Sequence, residues 1–336
     1  MATQRAALSV WYAQFCVEEG RYQLALRWCR RAIAEAETAD VRDVLAHAYR
    51  LLDRVYVDLG RIEEATHSAA ALALYEELGD LRGQSVVTNN LAGLAYYLGD
   101  WATAREQTRR SLEVCRQIGD QDGVARATHN LGKLLCDQGR LDEAAELLTS
   151  ALRMGQAAGH RAVVAIAQRD LARVAARSGR TDEALGLLSA AHATFADVGA
   201  EADDVDTLAV IAECHLLCGD SERAMAVVDE ALQQDHALGG ISGQSPLLHR
   251  LRGYALWRRD APGEALQAFE ESLAAGRSRD ADYEVALTLD GLARLVAALP
   301  DDPDAGRGER WLAESRAILE RLEVVQVPKL AAPARA

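Results

Sequence analysis

The sequence predicts an all-α fold, a right-handed superhelical solenoid of about eight helix-turn-helix hairpins. Two observations carry this prediction: a pattern that returns about every 40 residues, and two amphipathic helical stretches within each repeat. The recurrence is clearest where Gly79-Asp80 returns as Gly119-Asp120 and Asn90-Leu91 returns as Asn130-Leu131. Fixed-period similarity of this kind is typical of proteins whose core grows as one hairpin stacks on the next.

A glycine followed five residues later by an alanine marks the turn inside each repeat. Successive alanines of this pattern lie 40, 39, 40, 40, 40 and 41 residues apart. Glycine suits the left-handed conformation at the end of the first helix, and the small alanine allows the two helices to approach closely. The pairs are Gly20/Ala25, Gly60/Ala65, Gly99/Ala104, Gly139/Ala144, Gly179/Ala184, Gly219/Ala224, Asp260/Ala265 and a looser Gly308/Ala313 that follows Pro300 and Pro303.

The third repeat illustrates the two helices. Residues 85–98 carry apolar side chains at the i, i+3, i+4 spacing of one helix face, and Gly99-Asp100 then ends the helix. Residues 101–118 form the second helix, which ends before Gly119-Asp120. Tight turns of this kind predict helical hairpins that stack upon one another.

Composition narrows the classes of function. The formal net charge of −14 argues against general affinity for nucleic acid or for an anionic membrane surface. Six cysteines in 336 residues do not form a disulfide framework, and no apolar run is long enough to span a bilayer. The first residues lack the order of charged, apolar and small residues that marks a signal peptide. We therefore expect a soluble cytoplasmic protein.

The chain resembles the tetratricopeptide repeat family over residues 5 to about 320. The residues that carry this resemblance are Leu91, Ala95, Ala104, Leu131, Gly132, Ala144, Leu148, Ala151, Leu171, Ala172, Ala184, Leu188 and Ala191. The period near 40 is similar to the long-helix branch of that family, which includes kinesin light chains and bacterial response-regulator phosphatases that act as peptide receptors. The family's tryptophan early in the first helix and the proline that ends the second are mostly missing here.

The end of the chain predicts a boundary. We expect the repeat array to cover residues 1–322 and residues 323–336 to form an extended or disordered tail. The segment 313–328 also resembles the C-termini of actinobacterial ATPase- or cyclase-type regulators, which finish in such an array.

The resemblance places ligands on the concave face, which the first helix of each hairpin lines. Carried over by position, it gives a set of candidate partner-binding residues: Asn89, Asn90, Tyr97, Arg126, His129, Asn130, Lys133, Arg169 and Arg173. Arginines could pair with carboxylates of a ligand, and an asparagine offers a donor and an acceptor to an extended peptide backbone. The asparagine ladder has two clear rungs, Asn90 and Asn130. The alternative is that these charges are solvated or pair with neighbouring acids, such as Arg173 with Asp170.

No motif indicates catalysis, and we expect a non-enzymatic protein without cofactor or metal. The Cys214–Cys218 segment could suggest a metal site, but zinc usually needs four ligands, so small buried thiols are the preferred interpretation. Acidic pairs just after a turn glycine complement the dipole of the next helix.

Three functions remain open at this stage. The leading hypothesis is a scaffold whose concave groove binds an acidic or extended segment of a protein or peptide. The second is a sensor module of a bacterial signalling or transcriptional regulator that responds to a small effector or peptide. The third is homo-oligomerisation through a terminal hairpin, where Trp11, Tyr12 and Phe15 lie close together; the chain would otherwise be a monomer.

Overall fold

The computed structural model describes residues 2–59, 61–240, 242–299 and 306–330. Within these ranges the chain folds into sixteen α-helices and one short 3₁₀ helix, with no strand. The predicted all-α fold of eight successive helix pairs is therefore confirmed. Gly60, the prolines at 300 and 303, and the last six residues of the predicted tail lie outside the described residues.

The helices follow one another with short turns. Their bounds are α1 Ala2–Glu18, α2 Tyr22–Ala39, α3 Arg42–Asp58, α4 Ser68–Glu77, α5 Leu81–Tyr97, α6 Trp101–Ile118, α7 Gln121–Asp137, α8 Leu141–Ala158, α9 Arg161–Arg177, α10 Thr181–Val198, α11 Glu201–Leu217, α12 Ser221–Ala237, α13 Ser245–Arg258, α14 Pro262–Arg277, α15 Asp282–Ala298 and α16 Arg307–Arg321.

The turn residues adopt the left-handed conformation that the repeat pattern predicts. Gly139 has a φ of 79° and Gly179 a φ of 78°, and equivalent glycines recur along the chain. Asp260, which replaces the glycine in the seventh repeat, adopts the same conformation with a φ of 59°. Aspartate tolerates this region better than most residues with a Cβ atom. The repeat is therefore preserved where its glycine is lost.

The second hairpin departs from the regular pattern. A 3₁₀ helix covers Ile62–Glu64, and α4 begins only at Ser68, so Ala65 lies outside the second helix that it was expected to enter. The buried carboxylate of Asp53 accepts hydrogen bonds from the main-chain N–H groups of His67 at 2.8 Å and Ser68 at 2.5 Å, and from the Ser68 hydroxyl at 2.8 Å. These bonds satisfy donors at the start of α4, which explains where this helix begins.

The described chain divides into two compact units. The first contains Met1–Tyr96 and Thr103–Ala127, and the second contains Tyr97–Ala102 and Thr128–Ala336. In the first unit, small residues such as Ala25, Cys29 and Ala32 bring α1, α2 and α3 into one core. A further cluster joins α3, α4 and α5, and a buried hydrogen bond from Ser111 Oγ to the carbonyl of Ser85 ties α6 to α5.

The second unit has a larger apolar core. It joins α11 to α15, with Phe269 and Leu292 fully buried at its centre. Smaller clusters continue this core through α7, α8, α9 and α10, where Leu148 and Leu188 occupy corresponding places one repeat apart. Cys214 is buried among them and Cys218 is exposed.

The segment after α16 folds back onto the second unit. Residues 324–330 are non-helical, and the N–H of Val325 donates to the carbonyl of Gln138 at 2.8 Å, while Nε2 of Gln138 donates to the carbonyl of Leu322 at 3.0 Å. Gly139 allows this approach because a Cβ atom there would collide with the carbonyl oxygen of Gln326. We call residues 321–330 the C-terminal clasp.

Both ends of the clasp are anchored. Arg321 donates to the carbonyl of Gly99 at 2.9 Å and to Asp282 at 2.5 Å. At the other end, Leu330 is buried in the main core, and Arg294 donates to its carbonyl at 3.3 Å. The clasp therefore joins the α5–α6 and α7–α8 turns to α15 within the second unit.

Candidate functional site

The candidate residues predicted from sequence fall in both units. Asn89, Asn90 and Arg126 belong to the first unit. The second unit holds Tyr97, His129, Asn130, Lys133, Arg169 and Arg173. Exposure differs among them, because Arg126 and Tyr97 are exposed, whereas Arg169 is only 6% exposed.

In the second unit, the charged residues of this set join a group of ionised side chains on α7, α9 and α11. Most of its members are buried, although 25% of the Asp206 side chain is accessible, and all of them lie on helices that come first in their hairpins. We call this group the charge cluster: Asp137, Arg169, Asp170, Arg173, Arg177, Asp206 and Glu213.

Arg169 forms one end of the charge cluster. Its guanidinium lies 3.2 Å from Asp170, 3.2 Å from Asp203 and 3.5 Å from Asp206. Asp203 is the most exposed of these carboxylates, with 39% of its side chain accessible, so this pair opens toward solvent. The positive charge that the sequence assigned to a ligand is therefore matched by three acids of the chain itself.

His129 is held by the same group. One ring nitrogen, Nε2, lies 2.8 Å from a carboxylate oxygen of Asp170. Burial by itself would raise the pKa of Asp170, but the Arg169 guanidinium and the bond to His129 outweigh burial and hold this pKa well below its usual range. Asp170 is thus a permanent anion that orients both of its partners.

Arg173 and Arg177 converge on Glu213. Arg177 donates to Glu213 at 2.9 Å and lies 3.4 Å from Asp137, while Nε of Arg173 lies 3.7 Å from the other oxygen of Glu213. Burial opposes ionisation of Glu213, but the two arginines prevail and lower its pKa. Arg177 also donates to the carbonyl of Cys136 at 3.2 Å, which ties α9 to the end of α7.

Asp206 is the exception in the charge cluster. Burial raises its pKa to about 6, although Arg169 acts in the opposite direction. Its Oδ1 is buried and accepts no hydrogen bond from any residue that the structure describes. Lys133, on α7, contributes a favourable electrostatic interaction with this carboxylate. The cluster therefore contains one carboxylate that is incompletely satisfied.

A second ion pair lies further along the array. Arg250 of α13 is only 1% exposed and donates to Glu284 of α15 at 2.8 Å. The neighbouring Tyr283 has a buried hydroxyl with no hydrogen-bond partner among the described residues, and burial raises its pKa. Glu213 interacts with Arg250 across the intervening space.

Sequence reasoning did not assign Asp206, Glu213, Arg250 or Glu284. The sequence did carry a signal for Glu213. It follows Arg173 by one period of 40 residues, as Arg173 follows Lys133, so the three residues have the same place in successive repeats. The repeat pattern predicted arginines on the inner face of the first helices, but it did not predict that acidic side chains of neighbouring helices neutralise them.

Among the described residues, no group of His, Cys, Asp or Glu has an arrangement that could hold a metal ion. No helix of the described chain is long and apolar enough to cross a membrane.

Successive helical hairpins with a 40-residue period define a helical-repeat protein. Two models of the tetratricopeptide repeat match the chain, one over residues 83–157 and the other over residues 129–198. Residues 83–198 are therefore built of tetratricopeptide repeats. A comparison with curated proteins finds no match.

Solved structures with the same fold have low sequence identity to the chain. The apo form of RapI is similar with a TM-score of 0.66 and 14% identity, over 81% of this chain and 97% of that protein. A Rap protein complexed with competence and sporulation factor has a TM-score of 0.62 and 13% identity, over 95% and 99%. A signal transduction ATPase from Pyrococcus horikoshii with a tetratricopeptide repeat sensor has a TM-score of 0.55 and 16% identity, over 96% of this chain and 44% of that protein.

Proposed function

We propose that the protein is a non-enzymatic binding module that takes an extended segment of a partner protein or peptide. The observation that supports this proposal most directly is the C-terminal clasp. A non-helical segment of the chain itself docks against Gln138, through the Gln138 carbonyl and the Gln138 side-chain amide, so the turn between α7 and α8 is a surface that accepts an extended segment. A solved relative by fold, the Rap protein complexed with competence and sporulation factor, is also in complex with a ligand.

The charge cluster indicates which side chains a partner would need in order to bind there. An acidic side chain of the partner would reach Arg169 by replacing Asp203, the most exposed of the carboxylates around that arginine. Exchange of one carboxylate for another keeps every buried arginine paired, and so it avoids the cost of an isolated charge. Lys133 on α7 would supply a second cation near Asp206, and Asn130 on the same helix would supply an amide.

The test is selection from a library of acidic and neutral peptides of about nine residues, using the full chain. The variant that combines Asn90→Ala with Asn130→Ala removes the two rungs of the predicted ladder. Gln156→Ala, an exposed amide on α8, is the matched control. We expect wild type and control to enrich the same acidic, extended peptides, with binding to the double variant weakened about tenfold. Equal enrichment by all three proteins would place the site elsewhere.

A second candidate is a sensor array within a signalling ATPase. The observation that favours it is the likeness to the Pyrococcus horikoshii protein, in which a tetratricopeptide repeat sensor accompanies an ATPase and of which this chain spans 44%. A screen of small effectors by thermal shift distinguishes the two. An effector that raises the melting temperature without any peptide would favour the sensor, and peptide-dependent stabilisation alone would favour the binding module.

A further inference from the structure

The first helix presents an apolar face to solvent. Leu8, Trp11, Tyr12 and Phe15 are spaced as on one side of a helix, and Leu8 and Trp11 are 69% and 64% exposed. With Trp28 of α2 they line a groove of about 570 Å³. Exposed apolar patches of this kind mark interaction surfaces.

The packing of first helices elsewhere in the chain indicates what this face can bind. Helix α11 packs against α9, the first helix of the preceding hairpin, and against α13, the first helix of the following one. Helix α13 packs in the same way against α11 and α15. Helix α1 packs against α2 and α3, and Leu8, Trp11, Tyr12 and Phe15 nevertheless remain exposed. Its outer face is therefore the surface on which another helix would stack.

The same face is symmetric in sequence. Arg5, Leu8 and Trp11 precede its midpoint, and Tyr12, Phe15 and Glu18 follow it at mirrored distances. All six side chains are exposed. If a second copy of this helix packs antiparallel about the midpoint, an aromatic side chain therefore faces an aromatic one, an apolar side chain faces an apolar one, and a cation faces an anion.

We propose that this face binds a second copy of the chain, with the two α1 helices antiparallel about a twofold axis between Trp11 and Tyr12. Leu8 then meets Phe15 of the other copy, and Arg5 meets Glu18. A twofold interface of this kind is closed and self-complementary. Arg31, the other cation at the groove, pairs with Glu35 of its own copy at 3.0 Å. Arg5 interacts electrostatically with the same carboxylate, more weakly than Arg31 does, and it is the cation that turns to the partner.

The register is tested by cross-linking. Cys218, the exposed cysteine among the described residues, is first changed to serine. We expect Leu8→Cys mixed with Phe15→Cys to form a disulfide-linked dimer under mild oxidation, because facing residues bring their Cα atoms within about 7 Å. Each variant alone is expected to remain largely uncross-linked. Equal cross-linking of either variant with itself would overturn the antiparallel register.

The energetics are tested by sedimentation of the full chain over a range of concentrations. Trp11→Ala is expected to raise the dimer dissociation constant about thirtyfold, as for a central aromatic anchor. Val198→Ala, another exposed apolar side chain, is the control and should leave dimerisation unchanged. Arg5→Glu and Glu18→Arg should each weaken the dimer, and the two together should restore it. A monomer at every concentration, or growth beyond a dimer, would refute the proposal.

Discussion

Arg177 and Glu213 form a 2.9 Å hydrogen bond in which 6% and 1% of their side chains remain accessible. The two residues lie on α9 and α11, in successive repeats of the second unit. Removing two charges from water is costly, and only the full set of partners around them offsets that cost. The stability of each of these two repeats therefore depends on the other more strongly than it would if only apolar contacts joined them.

We expect Arg177→Ala to lower the free energy of unfolding by about 3–5 kcal/mol, because Glu213 would stay buried with a weaker partner. Arg180→Ala is the control, since Arg180 pairs with Glu183 at an exposed site where a loss below about 1 kcal/mol is expected. Urea unfolding followed by circular dichroism measures both. Similar losses for the two variants would contradict a special role for the buried pair.

Because their partners are buried acids, Arg169→Glu and Arg173→Glu are expected to disrupt folding and are unsuitable for mapping a ligand. Each change would place another anion among Asp170, Asp206 and Glu213. We expect misfolding or a melting temperature well below that of wild type, measured by calorimetry. A stable, folded Arg169→Glu protein would show that the charge cluster tolerates unbalanced charge.

Asp206 predicts a dependence of stability on pH. Its pKa is about 6 in the folded chain, against an ordinary value of 3.8, so the folded state binds more protons between these two values. Its contribution to stability therefore falls as the pH rises from about 4 to about 6. We expect Asp206→Asn to stabilise the protein by on the order of 1–3 kcal/mol at pH 7.5 and to have little effect at pH 4.

Urea unfolding at both pH values provides the measurement, and Glu230→Gln, at an exposed site on α12, is the control. Asp170 and Glu213 act with the opposite sign: their pKa values are lowered, and their contribution is lost as the pH falls through the folded-state value. If Asp206→Asn were destabilising at pH 7.5, its attraction to Arg169 would exceed the cost of burial.

The contribution of the C-terminal clasp to stability can be measured separately from that of the glycine turn that it contacts. Gly139→Ala and Gly179→Ala place a Cβ atom at nearly the same positive φ, but only the first meets Gln326. We expect Gly139→Ala to cost about 1–3 kcal/mol more than Gly179→Ala, because the clasp must shift. Hydrogen exchange at Val325 should accelerate only in the first variant. Equal exchange in both would show that the clasp does not depend on this contact.

Asp53 predicts a localised loss of structure. Its carboxylate accepts several hydrogen bonds at the start of α4, whereas Asp120 accepts one from the N–H of Gly123 at the start of α7. We expect Asp53→Ala to cost about 1.5–3 kcal/mol and to expose α4 to hydrogen exchange. Asp120→Ala should cost less, as an ordinary helix cap. Unchanged protection of α4 would mean that its apolar contacts suffice.

The repeat pattern predicted the helix pairs because glycine spacing and amphipathic period are local properties of the sequence. It did not predict the late start of α4, because the side chain that fixes it, Asp53, lies on the preceding helix. It expected an extended or disordered tail after residue 322 and did not predict that Leu330 of this segment is buried in the core, because nothing near Leu330 in sequence indicates its partners. Long-range pairing depends on the shape of the second unit, which local signals do not encode.

The candidate site was predicted unevenly for a similar reason. The interpretation that the sequence left open paired Arg173 with Asp170, whereas Asp170 pairs with Arg169 and Arg173 lies near Glu213. The sequence did not reveal that Glu213 and Asp206 complete the balance, because charge complementarity across helices appears only when the helices are packed.

The C-terminal clasp also bears on how the protein is made. In an ordinary repeat array each hairpin can fold as soon as its neighbour has left the ribosome. Here the hydrogen bonds of Gln138 are made with Leu322 and Val325, which are synthesised more than 180 residues later. During translation the earlier hairpins of the second unit must persist with an unfinished edge, a state that favours chaperone binding and misassembly. Emergence of the clasp, rather than of the last helix, is then the step that completes the second unit.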